Sequence, residues 1–276
     1  MSTDTVSPSQ ATAPAPPPII ELRSVRKSFP TQRGAPASLA VSDVSLTIPK
    51  QEAGEFVVLL GPSGCGKSTI LRMISGMLPP DTGEVFALGK RITEPDSQSV
   101  TVPQAYTCFP WLSVLGNVEF GLGIQGARPE EGRRIAKDYL TRVGLADRLD
   151  ARPKELSGGM QQRVAIARTL AMRPPIVLMD EPFGALDAQT RAEMQEMLIQ
   201  LWQQERNVVV FVTHDITEAL LLADRVIVFT ARPATIAYDL QVPFERPRAP
   251  EIQYDSQFVK LSTLLLDLLK RTDKPA

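Results

Sequence analysis

The chain has 276 residues, 43% of them hydrophobic, enough to bury a full core in one large α/β domain with an appended subdomain. Lys and Arg number 30 against 31 Asp and Glu, a net charge of −1 that gives no support for a broad nucleic-acid-binding face and leaves any anion to be met locally. Cys65 and Cys108 form no disulfide or metal framework, which fits a reducing cytosol, and no apolar run approaches the roughly 20 residues a membrane-spanning helix needs.

Met1 to Pro18 is built from Ser, Thr, Ala and Pro without the apolar block of a secretory signal, so a disordered tail is expected. Alternating apolar residues at Ile20, Leu22, Val25 and Phe29, then Leu39, Val41, Val44, Leu46 and Ile48, predict strands joined by turns. The apolar run Phe56 to Leu60 reads as a buried strand, and it delivers the chain into Gly61-Pro62-Ser63-Gly64-Cys65-Gly66-Lys67-Ser68-Thr69. Glycines at those positions let successive backbone N–H groups turn around a β-phosphate, Lys67 can reach the β- and γ-phosphates, and the Ser68 hydroxyl can ligate Mg²⁺. A helix opening at Lys67 aims its positive end at the same anion. A glycine-rich surface turn is the competing explanation, and the strand before it and the helical run Ile70-Leu71-Arg72-Met73-Ile74 after it argue against that.

The turn Pro79 to Gly83 ends this helix and leads into a strand near Glu84-Val85-Phe86. The region from Tyr106 to Leu156 reads as helical, with Arg133 to Val143 amphipathic and Gly144 as its stop. Ser157 then stands as a helix N-cap before two glycines that allow close approach of another group, although plain capping accounts for the same residues.

Three strand and helix alternations follow: Ile176 to Met179 with a helix near Arg191 to Glu205, Val208 to Val212 with a helix near Ile216 to Ala223, and Val226 to Phe229. Such alternation implies a mostly parallel sheet, and ligands of such sheets sit beyond the carboxyl ends of the strands. Asp180 and Glu181 end one of those strands, so Asp180 can hold Mg²⁺ and Glu181 can orient or deprotonate an attacking water. Without the phosphate loop, two acids there would read as a solvated turn. His214, the only histidine, ends the strand Val208 to Val212. Pro243 to Pro250, rich in proline and charge, separates a final helix over about Ser256 to Arg271, with Phe258, Leu261, Leu265 and Leu268 near one face.

Taken together, GPSGCGKST at Gly61, LSGGM at Leu156, IVLMDEP at Ile176, Ala185-Leu186-Asp187 and Thr213-His214-Asp215 resemble the ATPase subunit of an ABC (ATP-binding cassette) transporter, from about Ile19 onward. The resemblance implies a P-loop NTPase (RecA-like) core with an N-terminal antiparallel β subdomain and an inserted α-helical subdomain at about 105–156. It places the ATPase domain at 19–230 and leaves 231–276 as a carboxyl-terminal extension, for which regulation or partner binding competes with simple packing.

The same resemblance implies the remaining roles. Ser157, Gly158 and Gly159 would contact the γ-phosphate of ATP held by a second copy, with Asp187 across that interface. Gln104 would sense Mg²⁺ and the attacking water, and His214 would hydrogen-bond the γ-phosphate. Phe29 would stack on adenine, though it reads equally well as core. Met160 stands where many members have Gln, and Pro103 precedes Gln104 where an aromatic is common. Pro103 also removes a backbone donor from that loop.

The interval from Lys67 to Ser157 is too short for the coiled-coil insertion of chromosome-maintenance and DNA-repair relatives. Phe109-Pro110-Trp111, Glu181 to Asp187 and Phe229 to Ile236 look most like the nitrate/sulfonate/taurine import group. That implies a peripheral subunit on the cytoplasmic face of the plasma membrane, working with permease subunits and, indirectly, a substrate-binding protein. Trp111 would then line a groove for a short permease helix, or else be a buried anchor. The transported solute has no signature in this chain.

Overall fold

The computed structural model describes residues 16–31, 37–105 and 107–272, so all but the last three positions of the expected amino-terminal tail lie outside the described residues. Strands β1 (Ile20–Phe29) and β2 (Ser38–Ile48) pair antiparallel, Ile20 facing Ile48 and Phe29 facing Ser38. The chain then enters a second layer with β3 (Glu55–Leu60) and α1 (Lys67–Ile74), and returns to add β4 (Thr82–Ala87) and β5 (Lys90–Arg91) to the first sheet, in the order β2-β1-β4-β5. Half of the antiparallel strands therefore follow the phosphate loop in sequence.

The second sheet is completed by β6 (Ser99–Val102), β7 (Ile176–Asp180), β8 (Val208–Thr213), β9 (Arg225–Phe229) and β10 (Ile236–Gln241), in the order β10-β9-β3-β8-β7-β6. Its pairings are parallel except β9 with β10. Every residue of β3 and β8 is buried, as expected where both faces of a parallel sheet are covered. Alternate side chains feed different cores. Phe56, Val58 and Leu60 join one cluster, while Val57 and Leu59 join the other, beneath α1 and the antiparallel sheet. Asp224, just ahead of β9, holds β3 at its entrance: its backbone N–H donates to the Phe56 carbonyl at 2.8 Å and its carboxylate accepts from the Phe56 N–H at 2.9 Å.

Between β6 and β7 the chain makes α2 (Val114–Ile124), α3 (Pro129–Arg142) and α4 (Gly158–Ala171), which pack on one another. The amphipathic helix predicted from Arg133 begins four residues earlier, because Pro129 takes the first turn and Glu130 and Glu131 face the positive helix end. It closes at Arg142, with Gly144 in the left-handed region at φ +74°. The remaining helices are α5 (Ala188–Glu205), α6 (Ile216–Leu222) and α7 (Ser256–Thr272). Residues beyond 230 thus contribute an antiparallel strand to the core sheet, and Phe258, Leu265 and Leu268 of α7 are buried in the first cluster.

Candidate nucleotide site

Strand register gathers the motifs. β3 pairs with β8 so that Leu60 faces Thr213, β8 pairs with β7 so that Val212 faces Asp180, and β7 pairs with β6 so that Met179 faces Val102. Gly61, His214, Glu181 and Pro103 each lie one residue beyond those partners, so segments far apart in the chain emerge side by side at one sheet edge.

Gly61 to Gly66 link β3 to α1. Gly64 and Gly66 adopt φ of +73° and +126°, which only glycine takes without strain. At Gly66 a Cβ would also lie 2.7 Å from the Ala40 carbonyl oxygen and 3.0 Å from the Ala234 Cβ. Ser63 and Gly64 are exposed at the tip, Pro62, Ser68 and Thr69 are half-buried, and Cys65 is buried. Burial pushes the Cys65 thiol up, against the pull of the Lys67 charge.

No side chain caps α1 and no acid occupies its first turn, so its amino-terminal N–H groups suit an anion. The Lys67 side chain is buried and its Nζ donates to the carbonyls of Gly61 at 2.7 Å and Pro62 at 2.9 Å, bracing the loop.

The Ser68 hydroxyl donates to Asp180 Oδ1 at 2.7 Å. Burial pushes the Asp180 carboxyl up, a rise that the Ser68 bond opposes and the Glu181 charge increases. A hydroxyl and a carboxylate side by side form a hard-oxygen pair of the kind Mg²⁺ takes beside phosphate oxygens. Two of the three residues expected to meet that ion are therefore already in contact.

Glu181 adopts φ +43°, a costly conformation for a residue with a side chain, held because its N–H donates to the Val212 carbonyl at 3.1 Å and its own carbonyl accepts from Gly184 at 3.1 Å. Its Oε2 lies 3.3 Å from His214 Nδ1, with Glu181 mostly buried and His214 half exposed. Gln104, Pro103, Thr101, Arg72 and Asp180 line a cavity of about 620 Å³ on the β6 side of the same edge.

Ser157, Gly158 and Gly159 have other neighbours. Ser157 is exposed and caps α4, its hydroxyl accepting from the Met160 N–H at 3.3 Å. Gly159 is buried against α5, where a Cβ would stand 2.8 Å from the Thr190 γ-methyl. Thr190 in turn donates its N–H and its hydroxyl to the Asp187 carboxylate at 3.0 and 2.7 Å, and these bonds hold exposed Asp187 below the usual carboxylate range. Phe29, half-buried, packs on the cluster under the antiparallel sheet.

Several contributors escaped the sequence. Thr190 carried no signal of its own. Asn117, fully buried, accepts from the Phe109 N–H and donates to the carbonyls of Phe109, Leu112 and Ser113, while Arg168 donates to the Thr107 carbonyl and hydroxyl and covers the Phe109 ring at 4.8 Å. Together they fix the loop after Gln104. Trp111 is 67% exposed, beside Phe109 at 5.4 Å, so it is not a buried anchor.

Comparison with known proteins agrees with this geometry. A family model described as ABC transporter matches residues 41–184. The nitrate import ATP-binding protein NrtD of Synechococcus elongatus is 45% identical over 253 residues, 90% of each chain, and the bicarbonate transport ATP-binding protein CmpD of Synechocystis sp. is 44% identical over 273 residues, 98% of this chain and 93% of that one. Among solved structures, the dimeric post-hydrolysis state of the ATP-binding cassette MJ0796 bound to ADP and Pi aligns with a TM-score of 0.70 at 33% identity, covering 82% of this chain and all of that one. With a phosphate loop, a Ser68–Asp180 pair and a Glu181–His214 pair on one sheet edge, the chain belongs to the ABC transporter family as an ATP-binding cassette, an ATPase coupled to transport.

Proposed function

We propose that the chain is the ATP-binding subunit of an importer that takes up a small anion through a separate membrane permease. The observation that carries this is similarity, over at least 90% of each chain, to two proteins named for nitrate import and bicarbonate transport. Both solutes are compact oxyanions, which narrows the class from nitrate, sulfonate or taurine toward the smaller end. No helix among the described residues is long and apolar enough to cross a membrane, in keeping with a peripheral subunit at the cytoplasmic face whose permease dimer is made by other chains. A substrate-binding protein delivers the solute.

In this reading, Mg²⁺ neutralises phosphate charge when bound, and Ser68, Asp180 and Gln104 hold it. Backbone N–H groups of Gly61 to Thr69 receive the phosphates, and Lys67 exchanges the Gly61 and Pro62 carbonyls for phosphate oxygens. Glu181 accepts a hydrogen bond from the attacking water, and His214 steadies both Glu181 and the γ-phosphate. Ser157, Gly158, Gly159 and Asp187 complete the site of a second copy, so hydrolysis needs the dimer. Phe29 stacks on the adenine.

Glu181→Gln tests the chemistry. It keeps the shape at this strained position, retains ATP binding, loses at least about 100-fold in hydrolysis and accumulates as a dimer with ATP. Wild-type turnover by that variant removes Glu181 from the reaction. The same variant, captured from its native membrane with ATP, should retain permease subunits, and recovery of soluble partners alone would overturn the transport reading.

A further inference from the structure

Helix α6 has only seven residues, and the last carbonyls of any helix lack intrahelical donors. In this chain the donors come from the segment Pro243 to Pro250. Arg248 Nη1 donates to the carbonyls of Leu220 at 3.0 Å, Leu221 at 3.2 Å and Ala223 at 2.5 Å, and Arg246 Nη2 donates to the carbonyl of Leu222. Two guanidinium groups thus satisfy four consecutive carbonyls, and their charge suits the negative end of the helix.

Both arginines are fixed from behind. The Arg248 side chain is 2% exposed and its remaining nitrogens donate to the Phe244 carbonyl at 3.1 and 2.9 Å. Arg246 Nε donates to Asp224 Oδ1 at 2.8 Å, and its guanidinium lies over the Trp202 ring at 4.6 Å. Asp224 is the residue that holds Phe56 at the entrance of β3, so the clamp ties α6 to the strand that leads into the phosphate loop. Burial lowers the Arg248 pKa to about 10, which leaves the side chain charged at neutral pH.

The opposite end of α6 begins at the site. Asp215 caps it, accepting from the Glu218 N–H at 2.9 Å, and His214 is the residue before. We infer that Arg246 and Arg248 are positioning residues for His214: by fixing the carboxyl end of α6 they set where its amino end presents the imidazole beside Glu181. The inference rests on the role proposed for His214, and it makes this part of the carboxyl-terminal segment a brace for the site.

His214 is the only histidine of the sequence, so the imidazole Hε1 gives a single resonance in the chain carried on a histidine-free tag. Arg248→Met should shift or split that resonance and lower kcat for ATP hydrolysis about tenfold, with KM for ATP within about twofold of wild type. Arg248→Lys, which keeps the charge but has no second and third nitrogen to anchor on the Phe244 carbonyl, should shift the resonance less; it carries the same test if the methionine variant does not fold. A folded variant with an unmoved resonance overturns the positioning role, whatever its kcat. His214→Ala separates the two readings, because wild-type turnover there removes the catalytic role of His214 while a shifted resonance in the Arg248 variants still reports the brace.

Discussion

Glu55 opens β3 at 3% exposure, and its Oε2 has no hydrogen-bond partner among the described residues. Burial raises its pKa, Arg225 draws it back, and Asp224 and Asp239 add to the rise. An acid with a raised native pKa keeps its proton in the folded state after the unfolded chain has released it. Stability is therefore greatest while both forms are protonated and falls as pH rises through the ordinary value of 4.5 toward the native one. Glu55→Gln is neutral throughout, so it should flatten the decline of stability above pH 4.5 and raise the urea midpoint at pH 7. Urea unfolding at pH 5 and pH 7 measures this, and an unchanged pH slope would mean that Arg225 already offsets the charge. The sequence offered no hint of this residue, because a carboxylate before an apolar run reads as the exposed start of a strand.

Helices α4 and α5 meet where Gly159 admits the Thr190 γ-methyl, and Thr190 is locked there by its two bonds to Asp187. A methyl added at Gly159 must displace a side chain that cannot rotate without giving up its hydroxyl bond to Asp187. Gly159→Ala should cost about 1–3 kcal/mol in thermal or urea unfolding. Adding Thr190→Ser removes the γ-methyl but keeps the hydroxyl, and should restore most of the loss. If the double variant is no more stable than the single one, the Thr190 contact is not what requires glycine. Glycines at 158 and 159 announced close approach of another group, but that Thr190 meets Gly159 was not legible, since nothing in α5 marks Thr190 out from its polar neighbours. The segment Pro243 to Pro250 was likewise only half legible. Proline and charge read only as a separator before the last helix, yet the Arg248 side chain is buried where helix carbonyls satisfy its guanidinium.

At the scale of the molecule, the α/β core was legible because each motif is attached to a run of buried residues: Gly61 to Lys67 after β3, Asp180 and Glu181 at the end of β7, His214 after β8. β10 escaped because an edge strand with half-exposed residues lacks that signature. The order of the core strands was not legible either, since parallel neighbours are set by crossover connections and not by adjacent sequence.

A strand apolar on both faces carries no record of how far it should advance before turning. Sliding β3 by one residue would exchange Phe56, Val58 and Leu60 with Val57 and Leu59, hydrophobe for hydrophobe, and so costs far less than in a one-sided sheet. It would nevertheless move the phosphate loop by about 3.3 Å. The two bonds from Asp224 to Phe56 are an index pin against that slip. Asp224→Ala should therefore refold to a smaller nucleotide-binding fraction than wild type, measured after dilution from urea, and equal recovery would assign the pin to the backbone ladder alone. By this account the geometry of the nucleotide pocket is metered at the far end of the strand that leads into it.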